Sequence, residues 1–309
     1  MNTDFINELI EIAGKDNVRF DEPMSKHTTF RIGGNADCFV MPEKVEQLKK
    51  IVSLCKNSGT DFFVIGNGSN LLVSDSGYRG VIIQLYDRFN MIEYTEMGDE
   101  LFVKAQAGVM LGFLGNELVK KSMAGFEFAT GIPGTIGGAV MMNAGAYGGE
   151  IKDVLISATV MDHEGNVTVL TNEQLQMGYR TSLIEKKDLI VVDAEFKFLK
   201  GNIEEIKSKV DDLASQRRKK QPLEFPSAGS TFKRPEGHFA GKLISDANLM
   251  GYRVGGAQVS TKHAGFVINA GKATASDVIR LTDDVKKIVK KHFDVELELE
   301  VRKLGFDKQ

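Results

Sequence analysis

The sequence predicts an α+β protein built in three consecutive blocks, residues 1–80, 81–200 and 201–309. Three observations carry this. The first block alternates strand, helix and strand, the pattern of a small α/β lobe. The second is mostly short apolar strands around one helix. The third opens on a charged helix and holds a second long helix before a final strand. A chain of 309 residues fits two domains or three.

Taken in order, residues 4–14 predict a helix with Phe5, Leu9 and Ile12 on one face and acidic residues early in it. A strand follows at Ala36–Met41, then a helix from Pro42-Glu43 to about Lys56, closed by Gly59. Phe62–Ile65 reads as a buried strand. Strands are expected at Val81–Leu85, Met91–Thr95 and Leu101–Ala105, with a helix at Met110–Lys121. After a glycine-rich loop come strands at Leu155–Asp162 and Val167–Leu170, joined by the turn His163-Glu164-Gly165-Asn166, and a strand at Leu189–Leu199. Gly201-Asn202 marks a boundary. Helices are expected at Ile203–Lys220, Phe239–Ala247 and Ser276–Phe293, and a last strand at Glu296–Leu304.

Composition excludes several classes. Apolar residues make up 42% and charged residues 26%, as in an ordinary soluble protein. Lys plus Arg is 39 against 42 for Asp plus Glu, so there is no nucleic-acid or anionic-membrane footprint. The basic run Arg217–Lys220 is read as a solvated last helical turn, where cations are favoured. Cys38 and Cys55 form no disulfide framework and are expected as free, buried thiols of a cytoplasmic protein. No basic stretch precedes an apolar run near Met1, so no signal peptide is expected. Phe128–Gly149 is 22 residues without a charge, but its seven glycines and Pro133 rule against a membrane helix. The five histidines lack metal-ligand spacing, and no metal is expected.

Three segments carry chemistry. In Gly66-Asn67-Gly68-Ser69-Asn70-Leu71 an apolar strand runs into glycines and short polar residues. Glycines let backbone N–H groups approach a diphosphate. A plain tight turn explains this segment as well. The second runs from Gly131-Ile132-Pro133-Gly134-Thr135-Ile136-Gly137-Gly138 to Asn143-Ala144-Gly145-Ala146-Tyr147-Gly148. Its Ile, Val and Met indicate an ordered, buried loop with close backbone approach, with or without a ligand. Two such segments in one chain favour a bound dinucleotide. The third, Ser227–Pro235, sets Ser230 among small residues ahead of Lys233 and Arg234, either a hydroxyl donor beside positive charge or a Ser/Thr-rich turn.

In this order the segments resemble the UDP-N-acetylenolpyruvoylglucosamine reductase family along nearly the whole chain. The resemblance rests on Thr28–Gly34, Gly66–Asn70, Gly131–Gly138, Asn143–Gly148, Tyr179-Arg180-Thr181-Ser182, Ala228–Phe232, Lys262–Phe266 and Glu300-Val301-Arg302. It implies a two-lobed FAD-binding domain of the vanillyl-oxidase-like class and a C-terminal α+β substrate domain whose last strand returns toward the active site. It implies non-covalent FAD, NADPH as hydride donor and a UDP-sugar enolpyruvyl ether as substrate. By the family's pattern Arg180 and Glu300 stabilise the charge left by hydride addition, and Ser230 delivers the proton. The cofactor set it implies is Arg31, Gly66, Asn67, Gly68, Ser69, Asn70, Leu71, Gly131, Pro133, Gly134, Thr135, Gly137, Gly138, Asn143, Ala144 and Gly145. Tyr179, Lys233, Arg234 and His263 are expected at the substrate.

Two features depart from many members. Ser182-Leu183-Ile184 runs almost directly into Lys186–Ile190, so the tyrosine-bearing lid of some relatives is absent, as in the shorter subtype. Arg234 stands where many have Asn, and a guanidinium suits a diphosphate. The competing readings are a flavin oxidase of a small alcohol on the same fold and a non-catalytic uridine-nucleotide-binding protein. Oligomeric state is not legible in the sequence.

Overall fold

The computed structural model describes residues 2–306. The chain packs as two compact units, each assembled from separated segments. Met1–Phe20, Cys38–Asn67 and Gly80–Gln216 make the first; Asp21–Asp37, Gly68–Arg79 and Arg217–Gln309 make the second. Residues 1–80 contribute segments to both units.

In the first unit the opening helix is Thr3–Ala13, its N-terminus capped by the Asn2 side chain, which accepts from the Phe5 N–H at 2.9 Å. Phe5, Leu9 and Ala13 recur every four residues and are its buried face. The helix Val45–Asn57 buries Leu48, Ile51, Val52 and Cys55. Both cysteines are free and buried, and burial pushes the Cys55 thiol up to about 12. Strand Phe62–Ile65 pairs in parallel with Tyr78–Gln84, Phe62 opposite Val81 and Ile65 opposite Gln84. These two belong to a sheet in the order Val18–Pro23, Asn35–Val40, Tyr78–Gln84, Phe62–Ile65.

The larger sheet of this unit is antiparallel, in the order Val167–Thr171, Leu155–Met161, Ile190–Lys200, Glu100–Gln106, Ile92–Met97. Its middle strand alternates buried and exposed residues from Val192 on, the period of a one-sided sheet. Phe196 and Phe198 from that strand meet Phe126 edge-on, with ring centroids 6.2 and 5.6 Å away. Helix Leu111–Lys120 buries Leu111, Leu114 and Leu118.

The glycine-rich segment, expected as a loop throughout, contains a short helix at Ile136–Met141. Ile136, Ala139 and Val140 supply its buried stripe. Its glycine permits close packing rather than breaking the helix: a Cβ on Gly137 would stand 2.9 Å from the Ala107 Cβ, and the Gly137 N–H donates to the Ala107 carbonyl at 2.8 Å. That approach offsets the roughly 0.5–1 kcal/mol that a helical glycine costs relative to Ala.

The second unit has a sheet in the order Ser227–Ser230, Phe266–Asn269, Ala257–Val259, Arg253–Val254. Helices Ala240–Asp246 and Ala275–Phe293 join it in a core that includes Leu243, Ile244, Val259, Val267, Leu281, Val285, Phe30 and Leu72. The expected final strand Glu296–Leu304 is regular only at Arg302–Leu304. The segment first pairs antiparallel with Phe232 through Leu299, then parallel with Leu71–Val73. The change of partner and direction interrupts the ladder. The basic residues Arg217–Lys220 form the last turn of Ile203–Lys220, as expected.

Among the described residues no helix is long and apolar enough to cross a membrane, and no group of three or more His, Cys, Asp or Glu is placed to hold a metal.

The long helix Ala275–Phe293 starts in a capping box between Thr274 and Asp277. Asp75 adds a second cap from a distant segment, accepting from the Ala275 and Ser276 N–H groups at 2.7 and 2.9 Å and from the Ser276 hydroxyl at 2.7 Å. Asp75→Ala leaves those donors to water and lowers unfolding free energy by about 1 kcal/mol. Urea titration of parent and variant reads this directly; an unchanged midpoint means the capping box suffices alone.

Candidate functional site

In the first unit Gly66 closes strand Phe62–Ile65 against Thr135. A Cβ at Gly66 would lie 2.2 Å from the Thr135 hydroxyl oxygen. Next to it the Asn67 amide donates to the Pro133 carbonyl at 2.7 Å. The two glycine-rich segments are thus joined where Gly66-Asn67 meets Pro133–Thr135. The N–H groups of Asn67, Gly134 and Thr135 have no partner among the described residues. Gly131, Pro133 and Gly138 are exposed, Thr135 is buried, and Gly137 is packed on Ala107.

Asn143 behaves differently from its neighbours. It is fully buried, at φ 43°, and its amide is completely engaged within the chain. Nδ2 donates to Glu150 Oε2 at 3.1 Å and to the Gly178 carbonyl at 3.0 Å; Oδ1 accepts from the Lys152 N–H at 3.0 Å. Ala144 and Gly145 lead on to the carbonyl of Gly145, which accepts from the Arg180 guanidinium at 3.0 Å. Arg180 is half-buried at φ 55°, in a tight turn where Gly178 and Thr181 bridge, and lies 5.2 Å from the exposed Tyr179 ring. The Lys152 ammonium, 2.7 Å away, holds the Glu150 carboxyl below its ordinary value; the Asn143 amide and the charge of Arg180 act the same way. An ionised Glu150 therefore accompanies Arg180.

In the second unit Ser230 ends strand Ser227–Ser230, opposite Phe266. The next residue holds two partners: the Thr231 N–H donates to the Gly265 carbonyl at 2.8 Å, and the Thr231 carbonyl accepts from the Glu300 N–H at 2.9 Å. Ser230 is exposed and Glu300 half-buried. The Glu300 carbonyl accepts from the Asn70 amide at 3.0 Å, and the Arg302 N–H donates to the Asn70 carbonyl at 3.0 Å. Gly68, Ser69, Asn70 and Leu71 are therefore held next to the segment carrying Glu300. Gly68 sits at φ 59°, and a Cβ there would lie 2.1 Å from the His27 carbonyl oxygen. Arg31, at φ 55°, is exposed and follows the same Thr28–Thr29 segment, whose Thr29 N–H donates to the Gly68 carbonyl at 3.3 Å.

The remaining expected residues lie around Ser230. Lys233 is 3.3 Å from Glu298, an exposed pair worth little. The Arg234 guanidinium stacks 4.7 Å from the centroid of exposed Phe239. His263 is half-buried, and its Nδ1 accepts from the Gly265 N–H at 3.1 Å, the same Gly265 whose carbonyl holds Thr231. Burial keeps its imidazole below the ordinary 6.5. The structure thus brings Ser230, Glu300, Asn70 and His263 together in the second unit, while Arg180, Asn143 and the Gly131–Gly145 segment belong to the first. Ser182 and Glu150 escaped sequence reasoning: one was quoted only as part of a motif, and nothing signalled the other.

Comparison with known proteins fixes the family. A model described as UDP-N-acetylenolpyruvoylglucosamine reductase, C-terminal domain, matches residues 221–304, and one described as FAD binding domain matches residues 36–171. A UDP-N-acetylenolpyruvoylglucosamine reductase of Lachnoclostridium phytofermentans is 52% identical over 305 residues, covering 99% of this chain and 98% of the relative. The chain belongs to this reductase family. The crystal structure of the Thermus caldophilus reductase superposes with a TM-score of 0.77 at 34% identity, over 92% of this chain and 97% of that one. A variant of Phl p 4, a glucose oxidase, matches at a TM-score of 0.50 and 15% identity, over 65% of this chain and 44% of its own, which shows the fold alone. The architecture is accordingly the vanillyl-oxidase-like FAD-binding fold followed by the α+β unit of the reductases.

The residues fit a dinucleotide. Two glycines have no room for a Cβ, and the N–H groups of the turn at 67–69 and of Gly134 and Thr135 are without partners among the described residues. Gly68→Ala strains a positive φ and drives a methyl into a carbonyl, so the purified variant should retain much less than the parent's flavin, read from absorbance near the flavin band after desalting. Full retention would remove Gly68 from the cofactor turn.

His263 gives a pH effect with a definite sign. Its folded-state value is depressed, so the unfolded chain binds more protons below 6.5. Its contribution to stability is complete above that value and is lost as pH falls through it. His263→Asn keeps an acceptor for the Gly265 N–H without the titration, so its unfolding free energy should fall less than the parent's between about pH 8 and pH 5. Parallel curves in urea would show that His263 is not depressed.

Proposed function

We propose that the chain is an FAD-dependent, NADPH-consuming reductase that converts the enolpyruvyl ether of UDP-N-acetylglucosamine to UDP-N-acetylmuramate for peptidoglycan synthesis. The observation that carries this is identity at 52% across 99% of the chain to a reductase of that name, with Arg180, Ser230 and Glu300 all present. The enzyme works in the cytoplasm, where its nucleotide reductant and UDP-sugar are found, and it involves neither nucleic acid nor membrane.

The two glycine-rich segments would hold FAD, which would supply hydride transfer between NADPH and the enolpyruvyl double bond. Each of the chain's own residues then has a task. Negative charge left on the substrate is delocalised toward its carboxylate. The Arg180 guanidinium meets that charge, its orientation fixed by the Gly145 carbonyl. Glu300, fixed by Asn70 and Thr231 through its backbone, assists from a protonated or hydrogen-bonded form. The Ser230 hydroxyl protonates the substrate carbon, a task within reach of a weak acid because the carbanion-like centre is strongly basic. Lys233, two rungs from Glu300's partner Thr231, can leave its exposed contact with Glu298 to stabilise the alkoxide. Tyr179, Arg234 and His263 line the substrate, Arg234 offering a fork for the diphosphate. Residues 1–80 and 81–200 act as the two cofactor lobes and 201–309 as the substrate domain.

The decisive measurement treats the two halves separately by stopped-flow absorbance. Ser230→Ala should bind FAD and be reduced by NADPH like the parent, yet be reoxidised by the enolpyruvyl substrate about 10²–10⁴-fold more slowly. Equal slowing of both halves would make Ser230 a structural residue, and no slowing would assign the proton to another group.

A further inference from the structure

We infer that Ser182 is a positioning residue for Arg180, acting through the glycine-rich segment; this rests on the reductase reading. Three bonds tie the Arg180 turn to one short stretch, Met141–Gly145. The Ser182 hydroxyl donates to the Met141 carbonyl at 2.6 Å. The Asn143 amide donates to the Gly178 carbonyl at 3.0 Å, and Arg180 itself donates to the Gly145 carbonyl at 3.0 Å. The turn is thus pinned at its start, its middle and its end, every time to consecutive parts of the same stretch.

Local structure offered Ser182 a different task. It stands at the N-cap of helix Leu183–Lys186, where a serine hydroxyl ordinarily accepts from a backbone N–H of the first turn. It makes no such bond. The hydroxyl is instead turned toward Met141, the last residue of helix Ile136–Met141, whose carbonyl belongs to the set that a helix leaves unpaired. The bond is short, and Ser182 is fully buried. Losing it removes one donor from the Met141 carbonyl and releases the end of the turn that follows Arg180.

The stretch that receives these bonds is itself immobilised upstream. The Ile136 and Gly137 N–H groups donate to the Val109 and Ala107 carbonyls, both at 2.8 Å. Arg180 therefore takes its position from the segment proposed to hold the cofactor as well as from its own turn. That arrangement would fix the guanidinium relative to a flavin held by the same segment, and displacement of a catalytic group by about 1 Å can cost 10²-fold.

A double-mutant cycle on the holoenzyme separates positioning from general destabilisation. Ser182→Ala should keep the parent's flavin content and its rate of reduction by NADPH, while reoxidation by the enolpyruvyl UDP-sugar slows by about 10- to 10²-fold. Placed on Arg180→Ala, the same change should add no further slowing, because the group it positions is gone. Ser182→Thr keeps the hydroxyl and should retain most of the parent's rate. Equal slowing in both backgrounds, or no slowing in the parent background, overturns the inference. So does loss of flavin from Ser182→Ala and Ser182→Thr alike, which makes Ser182 a packing residue. A parent enzyme that this substrate does not reoxidise overturns the reductase reading, and the inference with it.

Discussion

The second unit depends on one long-range backbone and side-chain clasp: the Asn70 amide on the Glu300 carbonyl, with the Arg302 N–H returning to the Asn70 carbonyl. The two residues are separated by 230 positions. Closing so large a loop is costly, but the cost grows only with the logarithm of its length. The clasp makes the rest of the local order inexpensive. Leu71–Val73 pairs with Arg302–Leu304 in register, and Gly68 receives the Thr29 N–H. Asp75 then lies where it caps the helix that starts at Ala275. A turn proposed for the cofactor and a carboxylate proposed for the substrate are therefore parts of one hydrogen-bonded structure, and neither can be displaced without the other.

Legibility followed locality. Helix Thr3–Ala13 was readable to within a residue or so from its apolar stripe, and the charged helix Ile203–Lys220 from the Gly201-Asn202 boundary before it and the basic run at its end, because these signals are local. So was the strand Ile190–Lys200, with its alternating faces. The strands at Leu71–Val73, Ser227–Ser230 and Ala257–Val259 were not. They are three or four residues long, and Ser227–Ser230 has only Ala228 to mark a buried face. Their partners, not their composition, make them strands. The helix at Ile136–Met141 was hidden for a related reason: its two glycines argue against a helix until the Ala107 backbone that Gly137 packs on is known.

The site residues divide along the same line. Order and spacing of the segments made Arg180, Ser230 and Glu300 candidates by resemblance to the family, and the comparisons show that family over 99% of the chain. Which group holds which could not be read. Asn143 is one of the cofactor candidates of its glycine-rich segment, and its side-chain amide is engaged with Gly178, Glu150 and Lys152. Its side-chain amide therefore holds the chain together at this point. Glu150 carried no sequence signal because its contacts are relational: a lysine two residues on holds its carboxyl below the ordinary value, and the Asn143 amide and the charge of Arg180 act the same way.

Backbone conformation shows where the chain accepts strain. Arg31, Asn143, Tyr147 and Arg180 all have φ between 43° and 55°, and all lie in segments that carry the family resemblance. For residues with a Cβ this region costs on the order of 1–2 kcal/mol each. Asn tolerates it; Arg and Tyr do so less readily. Such conformations persist only where the surroundings over-determine them. At Arg180 the surroundings are known: the Gly178–Thr181 bridge, the Gly145 carbonyl on the guanidinium, the Asn143 amide before it and the Ser182 hydroxyl after it. A relaxed turn would need none of these. Their convergence on one strained residue is what a guanidinium held in a single orientation requires, and it explains why a buried asparagine and a buried serine are committed to backbone carbonyls at this point of the fold.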